Sequence, residues 1–438
     1  MTVFESARGA WEACAGMRAT RARLKNFTYG RQWDDVVIDH KGQKVSEYEY
    51  ASRGGRRPVT NNLLRSLVKS VVGRFRQNLL ASRAAGAEAG VADDAGLEHV
   101  RRVNMLDELD ARALEEFLIS GCAVQKVCYE RRFEGAGVWV DNVNPDRFFC
   151  NRYLDPRGSD IRLIGMLHEM SLPEMKMRFG HNNRRRQRDL AQVYSRGVGV
   201  RDGLGLLSSA STLIGQSDGG VSWASAGDPS LCRVIEVWTF EGESRAGGAW
   251  HCRYFAPDGS LIDETVSPFK HGSHPFAVNM YPLTDGEVHP FIEDVIDQQR
   301  HINHLITTID HILAHSAKGA LLYPQDALPP GYSYQEIIDM WARPGAVVPV
   351  AARATRMPAE VMSQGRCEGA SQLLDLEMRM MQQISGVSSA LQGQSIGGNM
   401  SASLYETQVQ NSTIALLDVF ETFNSFRSVR DRKAITTV

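Results

Sequence analysis

The stretch PFIEDVIDQQRHINHLITTIDHILAHS, residues 290–316, decides the fold because its spacing predicts one long amphipathic helix. Apolar side chains recur along one face of that helix, at Phe291, Val295, Ile302, Ile306, Ile309 and Leu313. Pro290 suits the first helical position, where the N–H that proline lacks would have no partner. At a rise of about 1.5 Å per residue, the helix would be roughly 40 Å long.

The residues after this helix predict a small insert and then a second helix. The insert combines a strand at 320–323, a short helix over 334–341 and a second strand at 346–350. From Pro358 to 385 the chain returns to helical periodicity, which is carried by Leu373, Leu374, Met378, Met381 and Ile384. Two long helices are therefore expected to flank one small α/β insert.

An uncharged loop and a last helix follow. No Asp, Glu, Lys or Arg occurs between Met380 and Tyr405, and the loop is rich in Gly, Ser and Gln. Ser403 and Glu406 have the spacing of a capping box, which predicts a helix to about Arg430. Paired helices around an insert, followed by an uncharged loop, suit a subunit that lines a channel better than a single enzyme domain. We therefore interpret the chain as an assembly subunit.

The first 288 residues predict a mixture of helices and sheet. Helices are expected to about Ala81 and again over 105–120, with an Ala/Gly-rich loop at 82–96 between them. Alternating β-branched and aromatic residues then predict strands at 123–133, 138–143, 232–240 and 249–255. The predicted fold class is α+β.

Composition limits the classes of protein that remain. The chain has 438 residues and a formal net charge of -2. Its length predicts two or three structural regions, since single cores rarely exceed roughly 250–300 residues. The small net charge means that any DNA contact must be local. Seven scattered cysteines without a C-x-x-C pair favour reduced thiols, and no apolar run reaches the roughly 20 residues of a membrane helix. We expect a cytoplasm-like compartment and no membrane.

An enzyme is the main rival interpretation, and its usual motifs are absent from the sequence. There is no G-x-x-x-x-G-K-[ST] phosphate loop and no G-x-S-x-G nucleophile turn. His168 and Glu169 open like a zinc-protease motif, but Leu172 stands where the second histidine is required. We therefore predict no catalytic residue and no cofactor, and keep a nucleic-acid-processing enzyme as an alternative.

Two histidine pairs on the first long helix have a spacing that can hold a metal. His301 and His304 are three residues apart, and His311 and His315 are four apart, so each pair shares a helical face. The lack of a cysteine or carboxylate at matching spacing favours a polar face at a subunit seam, and we predict no metal. Imidazoles packed at such a seam would make assembly sensitive to pH near about 6.5.

An arginine run has the composition of a phosphate contact. Arg184, Arg185 and Arg186, with Arg188, lie in a stretch that we expect to be a mobile surface loop, 181–230. Cationic side chains bind phosphates without regard to sequence. Solvated or intersubunit-paired arginines explain the run equally well, so both interpretations stay open.

The uncharged loop suggests weak contact with a moving polyanion. Gln392, Gln394, Ser395 and Asn399 offer neutral hydrogen-bonding groups, which can exchange partners without a large counterion-release term. The alternative is a plain flexible linker.

Four stretches taken together resemble the portal proteins of tailed bacteriophages. They are RPVTNNLLRSLVKSVVGRFR (57–76), NVNPDRFFCNRYLDPRGSDIRLIG (142–165), HPFAVNMYPLTDGEVHPFIEDVIDQQRHINHLITTIDHI (274–312) and ISGVSSALQGQSIGGNMSASLYETQVQNSTIALLDVFETFNSF (384–426). The resemblance implies a ring of twelve subunits with a portal fold. Its regions would be a mixed α/β wing at 1–288, a first stem helix at 289–317, a clip at 318–357, a second stem helix at 358–385, a tunnel loop at 386–402 and a kinked helix with a short crown at 403–438.

The resemblance also implies a place and partners. The ring would sit at the unique capsid vertex of the virion, after assembly in the host cytoplasm, as the conduit for packaging and ejection of double-stranded DNA. Its partners would be the terminase large subunit, a head-tail adaptor and the major capsid protein. Glu293, Asp294 and Asp297 would repel duplex phosphates if they faced the lumen, and the loop residues from Gln392 to Asn399 would line the narrowest part. A capsid scaffold or adaptor without a channel is the remaining alternative.

Overall fold

The fold is that of a computed structural model, which describes residues 2–53, 55–88, 95–132, 135–181, 183–194, 221–228, 230–242, 247–316, 320–341, 347–361, 368–388, 410 and 414–437. The helices are α1 (Val3–Ala13), α2 (Ala15–Thr28), α3 (Glu47–Ser52), α4 (Leu63–Glu88), α5 (Ala95–Asn104), α6 (Leu106–Ser120), α7 (Leu172–Phe179), α8 (184–194), α9 (Ile296–Ser316), α10 (Tyr334–Trp341), α11 (Glu368–Ser385) and α12 (Leu417–Thr436). The strands are β1 (Val36–Ile38), β2 (Lys44–Ser46), β3 (Cys122–Arg132), β4 (Gly135–Asn142), β5 (Phe148–Cys150), β6 (Leu163–Ser171), β7 (Leu231–Glu241), β8 (Ala249–Phe255), β9 (Leu261–Val266), β10 (Phe276–Met280), β11 (Pro282–Thr284), β12 (Glu287–Val288), β13 (Ala320–Leu322) and β14 (Ala359–Val361). The α+β prediction is confirmed.

Backbone contacts divide the chain into two units, each built from segments far apart in sequence. Unit 1 comprises Met1–Gln32, Asn62–Ile296 and Gln382–Val438. Unit 2 comprises Trp33–Asn61 and Asp297–Met381.

Unit 1 contains two larger antiparallel sheets. One has the strand order β10-β3-β4 and the other the order β5-β6-β7-β8-β9. The five-stranded sheet follows chain order, whereas β10 returns from far along the chain to pair with β3, with Val278 opposite Val124. The predicted strands at 123–133 and 232–240 lie in the middle of these sheets.

Alternating residues along the five-stranded sheet serve two separate cores, as the two-residue period of a strand requires. Phe148 and Trp238 pack with the three-stranded sheet. Phe149 and Val237 face the other way and pack with Trp11 of α1. Helices α5, α6 and α12 contact the three-stranded sheet. Unit 1 is therefore layered as helices, sheet, sheet and helix.

Local hydrogen bonds set several helix ends in unit 1. Thr2 and Glu5 form a capping box at the start of α1, and Ser171 with Glu174 forms another at α7. Helix α6 ends at Gly121, whose φ of +67° favours glycine, and a Cβ there would lie 2.5 Å from Val288 Cγ1. The predicted helix over 105–120 is thus confirmed together with its stop.

Unit 2 combines a hairpin, a long helix and the insert. Strands β1 and β2 form the hairpin, which leads into α3. The insert pairs β13 with β14, with Ala320 opposite Val361, and carries α10 between them in sequence. The predictions of a first strand from 320 and of a helix over 334–341 are confirmed.

Two predictions around the insert are wrong. Residues 347–350 form no strand, and Ala359–Val361, predicted as the start of the second helix, pair with β13 instead. Pro349 has no N–H for a sheet ladder, which favours the later segment. Within the described chain the second long helix begins at Glu368 rather than at Pro358.

Three helix boundaries also differ from prediction. Helix α9 begins at Ile296, after a 3-10 turn over Glu293–Val295, and not at Pro290. The predicted loop at 82–96 is helical to Glu88, since its alanines favour helix strongly enough to tolerate Gly86. Residues 184–194 form α8 instead of part of a loop, because the Asn183 side chain accepts the first free N–H groups.

Candidate assembly and nucleic-acid surfaces

The buried face of α9 in unit 2 is polar. Gln299, Asn303 and Thr307 follow one another at four-residue spacing and are at most 3% exposed. Their side chains form hydrogen bonds with the backbone of residues 58–61, here called the strap. The N–H of Asn61 donates to Asn303 Oδ1 and that of Val59 to Thr307 Oγ1, each at 3.0 Å. Gln299 Nε2 donates to the Asn61 carbonyl oxygen at 2.7 Å.

The apolar stripe predicted for α9 therefore describes only part of its packing. Ile302 is buried as expected, but Leu313 at the far end of the stripe is 55% exposed. The polar ladder was missed because its partners lie 238 to 248 residues earlier in the chain. Spacing of the two amides and the threonine at i, i+4 and i+8 was the available signal.

A buried carboxylate engages one of the predicted histidines. Glu47 Oε1 accepts hydrogen bonds from His304 Nε2 at 2.8 Å and from Arg300 Nη2 at 3.2 Å. Burial alone raises the pKa of Glu47, but the hydrogen bond from His304 and the charge of Arg300 outweigh it and hold that pKa below its usual value. The His304 ring also packs edge-on against Trp33. His304 is thus part of the internal structure of unit 2.

The other predicted histidines do not form a metal site in the described structure. His301 Nδ1 lies 2.9 Å from Glu377 Oε1, which joins α9 to α11. His311 has partners of its own, and the side chain of His315 lies outside the described residues. No three His, Cys, Asp or Glu side chains come together as a metal would require in the part of the chain that the structure describes.

Large apolar side chains stand exposed on unit 2. On α11 they are Leu373, Leu376, Met378 and Met380, and in the insert Leu322, Ile338 and Val347. Exposed apolar side chains are candidates for contact with another protein surface when they lie together. Their positions make α11 and the insert the candidate assembly surfaces.

The three predicted phosphate-binding arginines have different surroundings. Arg186 donates to Asp263 Oδ1 at 2.7 Å and to the Ile262 carbonyl oxygen at 3.0 Å, so it ties α8 to β9. Arg184 and Arg185 are exposed in the first turn of α8. Arg184 and Arg185 form no ion pair with another described residue, so of the three they can meet a phosphate without breaking one.

The three predicted acidic residues are all exposed. Glu293 and Asp294 lie in the 3-10 turn before α9, and Asp297 lies in its first turn. His289 Nδ1 is 3.3 Å from Glu293 Oε2. Carboxylates at a helix N-terminus are stabilised by the positive end of the helix dipole. Their place is therefore favourable for the helix whatever else they contact.

A family model for the phage P22-like portal protein matches residues 5–436. The chain belongs to this portal family. The match spans both units and every candidate surface described above. No curated protein matches the chain.

Membership of the portal family fixes the general role of the chain. Portal proteins are bacteriophage structural components at the capsid vertex, where they serve DNA packaging and connect head to tail. The family implies an oligomeric ring with DNA, terminase and capsid partners in general. The predicted channel residues Gln392, Gln394, Ser395 and Asn399 lie outside the described residues. Within the described chain no helix is long and apolar enough to cross a membrane.

Proposed function

We propose that twelve copies of this portal chain close a ring that conducts double-stranded DNA during packaging and ejection. The ring docks the terminase large subunit and later a head-tail adaptor, and the major capsid protein surrounds it. The family match over 5–436 carries this proposal. It is supported by two long helices, α9 and α11, that bracket a small α/β insert in unit 2.

We assign the regions of the ring subunit accordingly. Residues 1–288 form the wing, and 289–317 contain the first stem helix. The clip spans 318–357 and, by its pairing with β13, includes β14 as well. The second stem helix continues to 385, and 386–402 form the tunnel loop. The remaining residues, 403–438, form the kinked helix and the crown.

The acidic residues before and within α9 suit a lumen through which a polyanion slides. Glu293, Asp294 and Asp297 are exposed and carry charge of the same sign as the DNA phosphates. Exposed charges act over about 8 Å at physiological ionic strength, so they repel only a duplex that comes close. The duplex is thereby kept from sticking to the wall without being held in one position.

The exposed apolar residues of α11 supply the seam between neighbouring subunits. Burying a leucine side chain removes apolar surface worth about 1.5–3 kcal/mol from water. Leu373 is 37% and Leu376 51% exposed, so covering both removes about as much apolar surface as one leucine and contributes about 1–3 kcal/mol per contact. A ring repeats that contact at every seam.

Electron microscopy of purified protein tests the ring. Wild-type chain should give rings with a central hole, and Leu373→Glu with Leu376→Glu should give small particles whose unit 1 still melts normally. Leu261→Glu, an exposed leucine of β9 in unit 1, is the matched control and should leave rings intact. Small wild-type particles with nuclease or nucleotide-hydrolysing activity would favour the enzyme alternative instead.

Genome packaging tests the channel. Gln392→Lys with Gln394→Lys places two cations per subunit in the tunnel loop, where they should bind phosphates and slow packaging or ejection. Gln392→Asn with Gln394→Asn keeps neutral amides and should package normally. Full packaging and ejection by the lysine variant would rule out contact between this loop and DNA while leaving the ring itself standing.

A further inference from the structure

Two segments that are distant in sequence meet where helix α11 ends in unit 1. The helix ends at Ser385, and Gly386 follows it with a φ of +66°, the left-handed conformation in which many helices stop. A Cβ built on Gly386 would lie 2.7 Å from Ala415 Cβ and 3.9 Å from Ala415 Cα. Carbon atoms that are not bonded pack best at about 3.5–4.0 Å, so a side chain at Gly386 would collide with Ala415.

The contact between Gly386 and Ala415, here called the neck, is anchored on both sides. The residue that follows each of the two, Val387 or Leu416, is 0% exposed. Ser385 Oγ accepts the Val387 N–H at 3.3 Å, and α12 begins directly after Leu416. Moving either side of the neck away would therefore pull a buried apolar side chain out of the core.

The chain between the two sides of the neck carries the predicted channel residues. Gln392 and Asn399 both lie between Gly386 and Ala415 in sequence. An extended chain advances at most about 3.6 Å per residue, so Gln392 stays within roughly 22 Å of Gly386. Because both ends of this segment are held at one point, the position of the neck limits where the channel residues can reach.

A glycine that only stops a helix differs from a glycine that forms a neck in one testable respect. Asparagine also adopts the left-handed conformation at helix ends, so a simple stop at Gly386 accepts asparagine. The neck does not accept it, because every residue except glycine carries a Cβ. Gly272, also in unit 1, provides the comparison, since its φ is +62° and a Cβ there would have no neighbour within 4 Å.

We propose that Gly386 is a positioning residue for DNA conduction. Its missing side chain lets the end of α11 and the chain before α12 meet, and this contact sets the point from which the channel residues reach the DNA. The proposal rests on the proposed function, because it takes residues 386–402 as the tunnel loop. A side chain at Gly386 would push Ala415 away and alter that reach while the sheets of unit 1 keep their fold.

Hydrogen exchange in the full-length protein tests the neck itself. Gly386→Asn should make exchange at the Val387 N–H about tenfold faster after correction for the new neighbour, since overpacking a tight contact favours local opening by about that factor. Adding Ala415→Gly removes the collision and should restore the wild-type rate. Gly272→Asn should leave the rate at Val387 unchanged. A wild-type rate in Gly386→Asn, or no recovery on addition of Ala415→Gly, would overturn the neck.

Genome packaging tests the positioning role. Gly386→Asn should still form rings in electron micrographs but should lose packaging or ejection efficiency, and adding Ala415→Gly should restore it. Gly272→Asn should package normally.

The remaining outcomes separate this role from the channel. If Gly386→Asn does not assemble, recovery of rings and packaging on addition of Ala415→Gly supports the neck, whereas failure of both variants contradicts it. If Gln392→Lys with Gln394→Lys slows packaging and Gly386→Asn does not, the positioning role is wrong while the channel stands. Wild-type protein that forms no rings would instead contradict the proposed function.

Discussion

Helix α12 of unit 1 and helix α9 of unit 2 bury their polar side chains in two different ways. In unit 1 Asp110 is 1% exposed and Arg430 is fully buried, so an ion pair lies inside the protein. In unit 2 the buried polar side chains of α9 include the neutral Gln299, Asn303 and Thr307, bonded to the strap. Removing one partner of a buried charge is strongly destabilising, whereas removing one hydrogen bond of a neutral amide costs less free energy. A substitution at Asp110 should therefore destabilise unit 1 more than a substitution at Asn303 destabilises unit 2.

Two ion networks of unit 1 each surround a buried carboxylate, that of Asp110 and that of Glu236. Asp110 accepts from Arg430 Nη1 at 2.5 Å, from Arg427 Nε at 2.8 Å and from Gln125 Nε2 at 3.2 Å. Helix α12 is thereby fixed to α6 and β3. A second network surrounds Glu236, which accepts from Lys126, His168 and Trp238. Burial raises the pKa of Glu236, but these neighbours outweigh it and keep the carboxyl charged.

The largest expected effect follows from removal of Asp110. Asp110→Ala leaves the Arg430 guanidinium buried without its carboxylate, which should destabilise unit 1 by about 3–5 kcal/mol. Urea unfolding followed by tryptophan fluorescence measures the loss, since Trp139, Trp238 and Trp250 all lie in unit 1.

The control for Asp110 lies on the same helix. Arg112 of α6 forms an exposed pair with Glu108 at 3.0 Å, and Arg112→Ala should cost less than about 0.5 kcal/mol. If Asp110→Ala and Arg112→Ala had equal effects, the contrast between buried charge and surface charge in unit 1 would be lost.

Acidification should destabilise unit 1 by a smaller amount. Burial lowers the pKa of His274 well below 6.5 and that of His271 to about 4, and the nearby Lys433 charge adds to both shifts. These imidazoles stay neutral in the folded protein while they bind protons in the unfolded chain below about pH 6.5. Stability is therefore lost as pH falls from 7 to 5.5, by about 2 kcal/mol for the two histidines together.

Asparagine at both positions isolates this titration. His274 and His271 each accept the backbone N–H of the second residue onward, from Phe276 and Ser273. Asparagine can accept the same bond in an Asx turn, so His271→Asn with His274→Asn should keep the fold and lose the extra pH dependence. Lys433 remains in both proteins, which removes its own titration from the difference. Identical pH profiles for wild type and the double variant would contradict the assignment.

Sequence periodicity predicted unit 1 better than unit 2 for a physical reason. Strand β7 buries every residue from Arg233 to Thr239, most of them apolar, so its side chains alone predict it. In the insert, two later segments, 346–350 and Ala359–Val361, were possible partners for β13. The structure pairs β13 with Ala359–Val361, and no local sequence pattern indicates this. The segment predicted as a strand, 346–350, is the more apolar of the two, since Ala359–Val361 includes Glu360.

The candidate surfaces were predictable only in part. Glu293, Asp294 and Asp297 are exposed at the start of α9, a position that the sequence alone indicates for acidic residues. The separation of Arg186 from its neighbours depends on Asp263, a residue 77 positions away, and no local pattern encodes it. Long-range partners are likewise what made α9 polar on its buried face.

The smallest expected effect concerns the strap of unit 2. Asn303→Leu keeps the branched shape of the side chain but removes the acceptor of the Asn61 N–H and of Gln299 Nε2. The cost is about 1 kcal/mol for the strap bond. The other strap bonds, to Gln299 and Thr307, remain. Hydrogen exchange at Val59 and Asn61 should therefore become about fivefold faster, since 1 kcal/mol corresponds to about that factor at room temperature.

The same experiment decides whether the two units differ as described. Asp310→Ala, an exposed substitution on α9, should leave exchange in the strap unchanged, and Asn303→Leu should leave exchange in β7 unchanged. If Asn303→Leu instead unfolded the protein as Asp110→Ala is expected to do, the neutral ladder would be as indispensable as the buried ion pair. Such a result would show that the neutral side chains of α9 are no more tolerant of a lost hydrogen bond than the charged Asp110–Arg430 pair.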